Sequence, residues 1–184
     1  TGRTGVLLAE KLCRAGARVT LMLGPAAGYK NSSIKIIRFK FFNELMDSLR
    51  KELKSRRYDA VIHSAAVSDY CLIKPLEGKI NSGRRNLTLK LKPTPKIIKC
   101  IRKWQPALFL VMFKLENMIS DDKLIRRAKK ALNDCGANLA VANRICPSYK
   151  AYIVDKDRIY CRAASREQLS ERLIQVIIAK RCLW

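Results

Sequence analysis

Apolar positions along the chain switch between spacings of three to four and short alternating or continuous runs, which predicts helices and strands in regular alternation. Val6, Leu7, Leu8, Leu12 and Cys13 recur at helical spacing, and Gly16 follows where a helix should stop. Arg18 to Leu23 and Ile34 to Phe39 read as strands, and Leu45, Leu49 and Leu53 place a stripe on the helix after them. Asp59 to Ser64 is a buried strand, residues 65 to 82 are a long irregular connection, and Leu87 to Lys92 alternates as a further strand. Pro93-Thr94-Pro95 opens a helix through Trp104, with a proline in its first turn. Leu108 to Phe113 is a continuous apolar strand. Ser120 caps a helix that Gly136 ends, and Asn138 to Ala142 is the next strand. A hairpin turns at Asp155-Lys156-Asp157, and an amphipathic helix runs from about Ser165 to Lys180.

Strands that are apolar on both faces and alternate with helices imply a sheet covered on both sides. The expected fold is a doubly wound, Rossmann-like, mostly parallel α/β sheet with a C-terminal hairpin and helix, spanning residues 1–184 as one domain. In such folds the ligand lies beyond the carboxyl ends of the strands. Chemistry is therefore sought after His63-Ser64, after Phe113 and after Ala142.

Composition narrows the class. The 38 Lys and Arg against 15 Asp and Glu leave a net charge of +23, which favours an anionic ligand or partner. The basic residues are spread over every segment and aromatics are only 7%, so nucleic acid is not expected as the main partner. No apolar run is long enough to cross a membrane. Seven single cysteines and one histidine form no metal-binding pattern, and unpaired thiols point to the cytoplasm.

Several residues suggest phosphate or nucleotide handling. Gly2, Arg3 and Gly5 precede a helix at once, where backbone N–H groups and the helix dipole favour an anion. Ala65 and Ala66 leave a buried strand through small side chains, and Asp69 is either a hydrogen-bond acceptor for a ligand or a turn cap. Lys79 sits in a glycine-bracketed loop suited to neutralising a transferring phosphoryl group. His63 reads as a core histidine rather than a general base.

The ordered set Ala65-Ala66-Val67-Ser68-Asp69, Gly78-Lys79-Ile80, Pro93-Thr94-Pro95, Phe113-Lys114-Leu115-Glu116 and Val141-Ala142-Asn143 closely resembles the phosphopantothenate–cysteine ligase domain of coenzyme A biosynthesis. The resemblance implies a ligase that converts the phosphopantothenate carboxylate to an acyl-nucleotide, using CTP or ATP with Mg²⁺, before L-cysteine attacks. It implies that Ser64, Ala65, Ala66 and Asp69 hold the nucleotide, and that Pro95, Lys96, Ile97 and Ile98 line its base side. Phe113 would pack against that base, Lys79 would be the loop lysine acting on the acyl group, and Asn143 would lie near the site. It further implies a homodimer, and a flavin-dependent decarboxylase either fused or separate.

Two departures from that pattern stand out. A lysine pair of CTP-using bacterial relatives reads Ala131 and Cys135 here, so Lys129 or Lys130 would supply that charge. The opening Thr1-Gly2-Arg3-Thr4-Gly5 matches the back half of the family's glycine-rich loop, so the first strand of the fold is expected to lie before Thr1, and the chain without it is expected to bind nucleotide poorly. The rivals are an NAD(P)-binding oxidoreductase and a basic nucleic-acid-binding domain. The first lacks its acid after Arg18 to Leu23, which runs into Gly24-Pro25.

Overall fold

A computed structural model describes residues 2–25, 29–74, 78, 80, 82–83 and 85–181. Their elements are α1 (Arg3–Arg14), β1 (Thr20–Leu23), β2 (Lys35–Arg38), α2 (Phe42–Ser55), β3 (Ala60–His63), β4 (Tyr70–Leu72), β5 (Leu91–Pro93), α3 (Ile97–Trp104), β6 (Phe109–Leu115), α4 (Asp121–Cys135), β7 (Leu139–Arg144), β8 (Lys150–Val154), β9 (Ile159–Ala163) and α5 (Arg166–Arg181). The main sheet has the order β3-β6-β7-β8-β9, parallel from β3 through β7 and antiparallel beyond. Strands β1 and β2 form a separate parallel pair, with Thr20 opposite Lys35.

Alternation along β6 sorts the two faces of the sheet. Leu110 and Met112 join Leu45, Leu49 and Leu53 of α2, Ile97 and Ile101 of α3, and Leu124, Ala128 and Leu132 of α4. Phe109 and Val111 join Leu8 of α1 and Leu169, Leu173 and Ile177 of α5. This is the expected three-layer, doubly wound arrangement. Helix α4 forms where its caps predict: the Ser120 hydroxyl accepts from the Lys123 N–H at 3.4 Å, and Gly136 ends it with φ 67°. That left-handed turn favours glycine.

Two readings change. Residues 65 to 82 were expected to be irregular, yet Tyr70–Leu72 pairs antiparallel with Leu91–Pro93. The alternating run from Leu87 enters a strand only at Leu91, one residue after the Lys90 carbonyl accepts from the Ile73 N–H at 3.0 Å. Helix α3 starts at Ile97 with Lys96 as its N-cap, so Pro95 lies outside the first turn.

Arg102 binds the amino ends of β6 and β7 to the ends of α3 and α4. Its guanidinium donates to the carbonyls of Gly136 (2.8 Å), Pro106 (2.5 Å) and Leu108 (2.9 Å), and to Asn138 Oδ1 (2.8 Å). Asn138 Oδ1 also accepts from the Leu110 N–H at 2.8 Å. Arg102→Met keeps the aliphatic stem and strands these acceptors. It should lower unfolding free energy by roughly 2–4 kcal/mol in urea titration, and a loss below about 0.5 kcal/mol would show that water replaces the guanidinium.

Asp155 ties the β8–β9 turn to α5. It accepts from the N–H groups of Asp157 and Arg158 (both 2.9 Å), from Lys180 Nζ (2.9 Å) and from the Tyr160 hydroxyl. Burial opposes its charge, but Tyr160, the Arg158 N–H and Lys180 together hold the carboxyl far below the usual range. A depressed carboxylate contributes its full stability above the unfolded value of about 4 and loses it as pH falls toward the folded value. Asp155→Asn should therefore cost roughly 1–3 kcal/mol at pH 7 and flatten the decline of stability below about pH 4. Acid titrations of the two proteins that remain parallel would exclude this role.

Candidate nucleotide site

The carboxyl ends of β3, β6 and β7 lie at one edge of the sheet, since these strands are parallel and in register. Helix α1 brings its amino end to the same edge. Gly2 is its N-cap in the left-handed region (φ 67°), and no side chain or first-turn acid caps the helix. The N–H groups of its first turn therefore form an uncapped, positively polarised end beside exposed Arg3. A Cβ at Gly5 would stand 3.3 Å from Ser64 Oγ, so the glycine allows α1 to approach the end of β3 closely. Gly2, Arg3, Gly5 and Ser64 are thus brought together.

Beyond Ser64 the chain passes through exposed Ala65 and Ala66, while Val67 packs into the core on the α2–α4 side. The turn at Ser68 is closed by Ser68 itself, whose hydroxyl donates to the Tyr70 carbonyl at 2.6 Å. Asp69 is therefore not the turn cap. Its carboxylate instead meets Lys96 Nζ at 2.5 Å, with both side chains more than half exposed. Buried Thr94 fixes this pairing from beneath, donating its hydroxyl to the Ser68 carbonyl (2.7 Å) and its N–H to the Asp69 carbonyl (2.9 Å). Asp69, Pro95 and Lys96 form one exposed cluster at the ribbon's end.

A second group comes from the loops after β6 and β7. Glu116 lies between Lys114 (3.2 Å) and Arg127 (2.9 Å). Burial would raise its carboxyl, but the two cations hold it below the usual range. The Glu116 N–H donates to the Asn143 carbonyl at 3.0 Å. Asn117 Oδ1 accepts from the N–H groups of Ile145 (2.9 Å) and Cys146 (3.2 Å). Asn143 Oδ1, between these contacts, is buried without a hydrogen-bond partner. An unpaired buried acceptor at a strand's carboxyl end is suited to a donor on a ligand. Asn117 was not singled out in the sequence, where nothing marks it as the link between the two loops.

Other expected site residues are placed differently. Ile97 is 2% exposed within the core, so its side chain does not line a ligand surface. Ile98 is half-buried against the same core. Phe113 packs on the α1–α5 side, the opposite face of the sheet, because β6 alternates. Lys129 donates to the Asp157 carbonyl at 2.9 Å, beside the start of β7 and far from Ser64. Lys130 is exposed on the outer surface of α4, nine residues past the helix start, or roughly 13 Å along its axis. Neither lysine joins the cluster. Lys79 lies outside the described residues. His63 is half-buried at the end of β3, and burial pushes its imidazole down to about 4, so it is neutral at pH 7.

Among known proteins, the coenzyme A biosynthesis bifunctional protein CoaBC of Thermococcus kodakarensis is 37% identical over 147 residues, covering 79% of this chain and 36% of that protein. Phosphopantothenate–cysteine ligase 2 of Oryza sativa is 36% identical over 124 residues, covering 62% of this chain and 37% of the relative. The chain thus matches little more than a third of the length of either relative. The crystal structure of the DNA/pantothenate metabolism flavoprotein from Streptococcus pneumoniae superposes with a TM-score of 0.85 at 27% identity, over 98% of this chain and 89% of that one. With residues 1–181 matching its model, the chain belongs to the family of the DNA/pantothenate metabolism flavoprotein C-terminal domain.

Proposed function

We propose that this domain joins phosphopantothenate to L-cysteine at the expense of CTP or ATP, in the cytoplasm. The observation that carries the reading is the uncapped α1 end set against Ser64 at the carboxyl edge of a domain of this family, with the exposed Asp69–Lys96 pair following five residues along the chain from Ser64. A carboxylate resists attack by an amine until one of its oxygens becomes a good leaving group. In the first step a carboxylate oxygen attacks the α-phosphorus and pyrophosphate leaves. In the second the cysteine amine attacks the acyl carbon, loses a proton, and the nucleoside monophosphate departs.

The α1 N–H groups and Arg3 would bind phosphate, and Ser64 with Ala65 and Ala66 would let the nucleotide lie against backbone. Lys96 is exposed enough to exchange its carboxylate for a phosphate, which frees Asp69 to accept hydrogen bonds from the ligand. Lys79 would stabilise charge developing at phosphorus, and Asn143 Oδ1 would accept from the bound ligand. Mg²⁺ would arrive on the triphosphate and neutralise the departing pyrophosphate. Among the described residues no group of three His, Cys, Asp or Glu could hold a metal, which fits an ion bound chiefly through phosphates.

A homodimer is supported by half-exposed Tyr70 and Leu91 on the β4–β5 ribbon and by Leu87 and Leu89 in the segment before it. The proposed downstream partner is a flavin-dependent decarboxylase, fused or separate. The six described cysteines are free, which suits a reducing compartment.

The full-length protein should release pyrophosphate from CTP or ATP only with phosphopantothenate, and form the amide only when cysteine is added. No pyrophosphate with either nucleotide would overturn the reading. Lys79→Ala should slow acyl-nucleotide formation at least ~100-fold with folding intact; an effect below about threefold would remove Lys79 from the mechanism. Asp69→Asn should weaken nucleotide binding in calorimetry while the melting temperature stays nearly constant, because an exposed ion pair such as Asp69–Lys96 adds little stability. Equal affinity in both proteins would confine Asp69 to its pairing with Lys96.

A further inference from the structure

The charge excess is unevenly placed. On α2, α3 and α4, which cover one face of the sheet, exposed Lys and Arg outnumber exposed Asp and Glu nine to four. On α1 and on α5 through Lys180, over the other face, the ratio among the described side chains is three to two. Among exposed helical residues the cation surplus is therefore larger on the α2–α4 layer.

Within that layer the cations are ordered. Each helix buries an apolar stripe on the sheet, and an i,i+4 pair of cations sits on its far side: Arg50 and Lys54 on α2, Lys99 and Lys103 on α3, Arg126 and Lys130 on α4. Members of a pair stand about 6 Å apart along the axis, and packed helices lie about 8–10 Å apart. The result is a two-by-three array of positive charge. Among the described residues, none of the six forms an ion pair with a carboxylate.

We propose that this α2–α3–α4 face is a docking surface for duplex nucleic acid, bound through its phosphates without regard to sequence. A polyanion with one charge per about 1.7 Å of axis matches a face on which exposed cations outnumber the four exposed acids, Glu44, Asp47, Asp122 and Asp134, and release of its counterions drives binding. Large exposed apolar side chains occur elsewhere, at Tyr70, Leu91, Met118 and Ile178 among others, but none lies within these three helices. A membrane-surface helix inserts such side chains, and single strands need aromatic platforms. Beside the face, Phe41 is exposed at the start of α2, and Trp104 of α3 is half-buried under Arg50, which makes neither an apolar stripe nor a row of stacking rings. This inference stands on surface charge alone and is independent of the ligase reading.

The test is anisotropy titration of a labelled 20-base-pair duplex across a salt series, using the whole chain. The tested variant carries Lys54→Gln, Lys99→Gln, Lys103→Gln and Arg126→Gln. A control with the same charge loss carries Arg14→Gln, Arg18→Gln, Arg162→Gln and Arg172→Gln, all exposed and outside the three helices. The first variant should bind at least about tenfold more weakly at 0.1 M salt, with a salt slope shallower by roughly 2–4. The control should change much less. Equal weakening in both variants would mean that affinity follows net charge and no face is assigned. Tighter binding to phosphatidylserine vesicles than to the duplex, weakened by the same four substitutions, would replace nucleic acid with a membrane and overturn the proposal. Circular dichroism checks that both variants fold; if the first does not, Lys54→Gln with Lys103→Gln alone should still show the difference from an equally charged control pair.

Discussion

The geometry at the candidate site depends on the register between β6 and β7, which is fixed at both ends by side chains as well as by the ladder. At the amino end Asn138 exchanges two bonds with Leu110, its N–H reaching the Leu110 carbonyl and its Oδ1 taking the Leu110 N–H, both at 2.8 Å. Arg102 locks that asparagine in place. At the carboxyl end the Glu116–Asn143 backbone bond and the two bonds to Asn117 Oδ1 join the emerging loops. A one-residue slip would turn Leu110, Met112 and Phe113 to the wrong layers. It would also move the unpartnered Asn143 oxygen out of the strand end. Packing and site geometry are therefore set by the same pair of strands.

This arrangement separates rigidity from chemistry. The buried core ends at Met112 and Ala142, and the polar residues begin within a residue or two of them. Asp69 and Lys96 stand on a two-stranded ribbon outside the main sheet, held by Thr94. Two exposed, oppositely charged groups at a fixed distance gain little from each other in water. They can be separated by an anion and a donor at small cost, which suits a site that must admit and release a charged nucleotide.

How much of this could be read from the sequence follows from which interactions are local. Helix α4 was legible because Ser120, the following acids and Gly136 are cap signals within a few residues of its ends. The hairpin at Asp155 was legible for a similar reason. The β4–β5 ribbon was not, because its strands are three residues each and lie some twenty residues apart. Arg102 and Asn117 were equally silent, since each acts on backbone groups brought close only by the parallel crossover. Among site residues, the glycine opening of α1 was legible, and the structure sets Gly5 against Ser64 at a strand end. Ile97 shows the limit of transferring a motif position by position: the resemblance puts it on the base side of the nucleotide, but the helix starts there and its side chain serves the core. Lys129 and Lys130 failed for a geometric reason, since a helix running antiparallel to β7 carries its later residues away from the site.

The distribution of acids explains why one protein can hold so many uncompensated cations and still form these joints. Three carboxylates, two buried (Glu52, Asp155) and one half-buried (Asp121), repeat one arrangement, each accepting from a tyrosine hydroxyl and a lysine. Glu52 meets Tyr58 and Lys35, Asp121 meets Tyr152 and Lys150, and Asp155 meets Tyr160 and Lys180. The donated hydrogen bonds outweigh burial and hold all three carboxyls below the usual range. They tie α2 to β2, α4 to β8 and the β8–β9 turn to α5. With Glu116 between Lys114 and Arg127, four of the 15 acids are engaged at joints between elements. Glu52 also meets Arg56 (3.6 Å) and Asp121 also meets Arg144 (2.9 Å), so these four joints engage seven of the 38 cations. The remainder stay at the surface, where water solvates them and an anion can replace that water without breaking the fold.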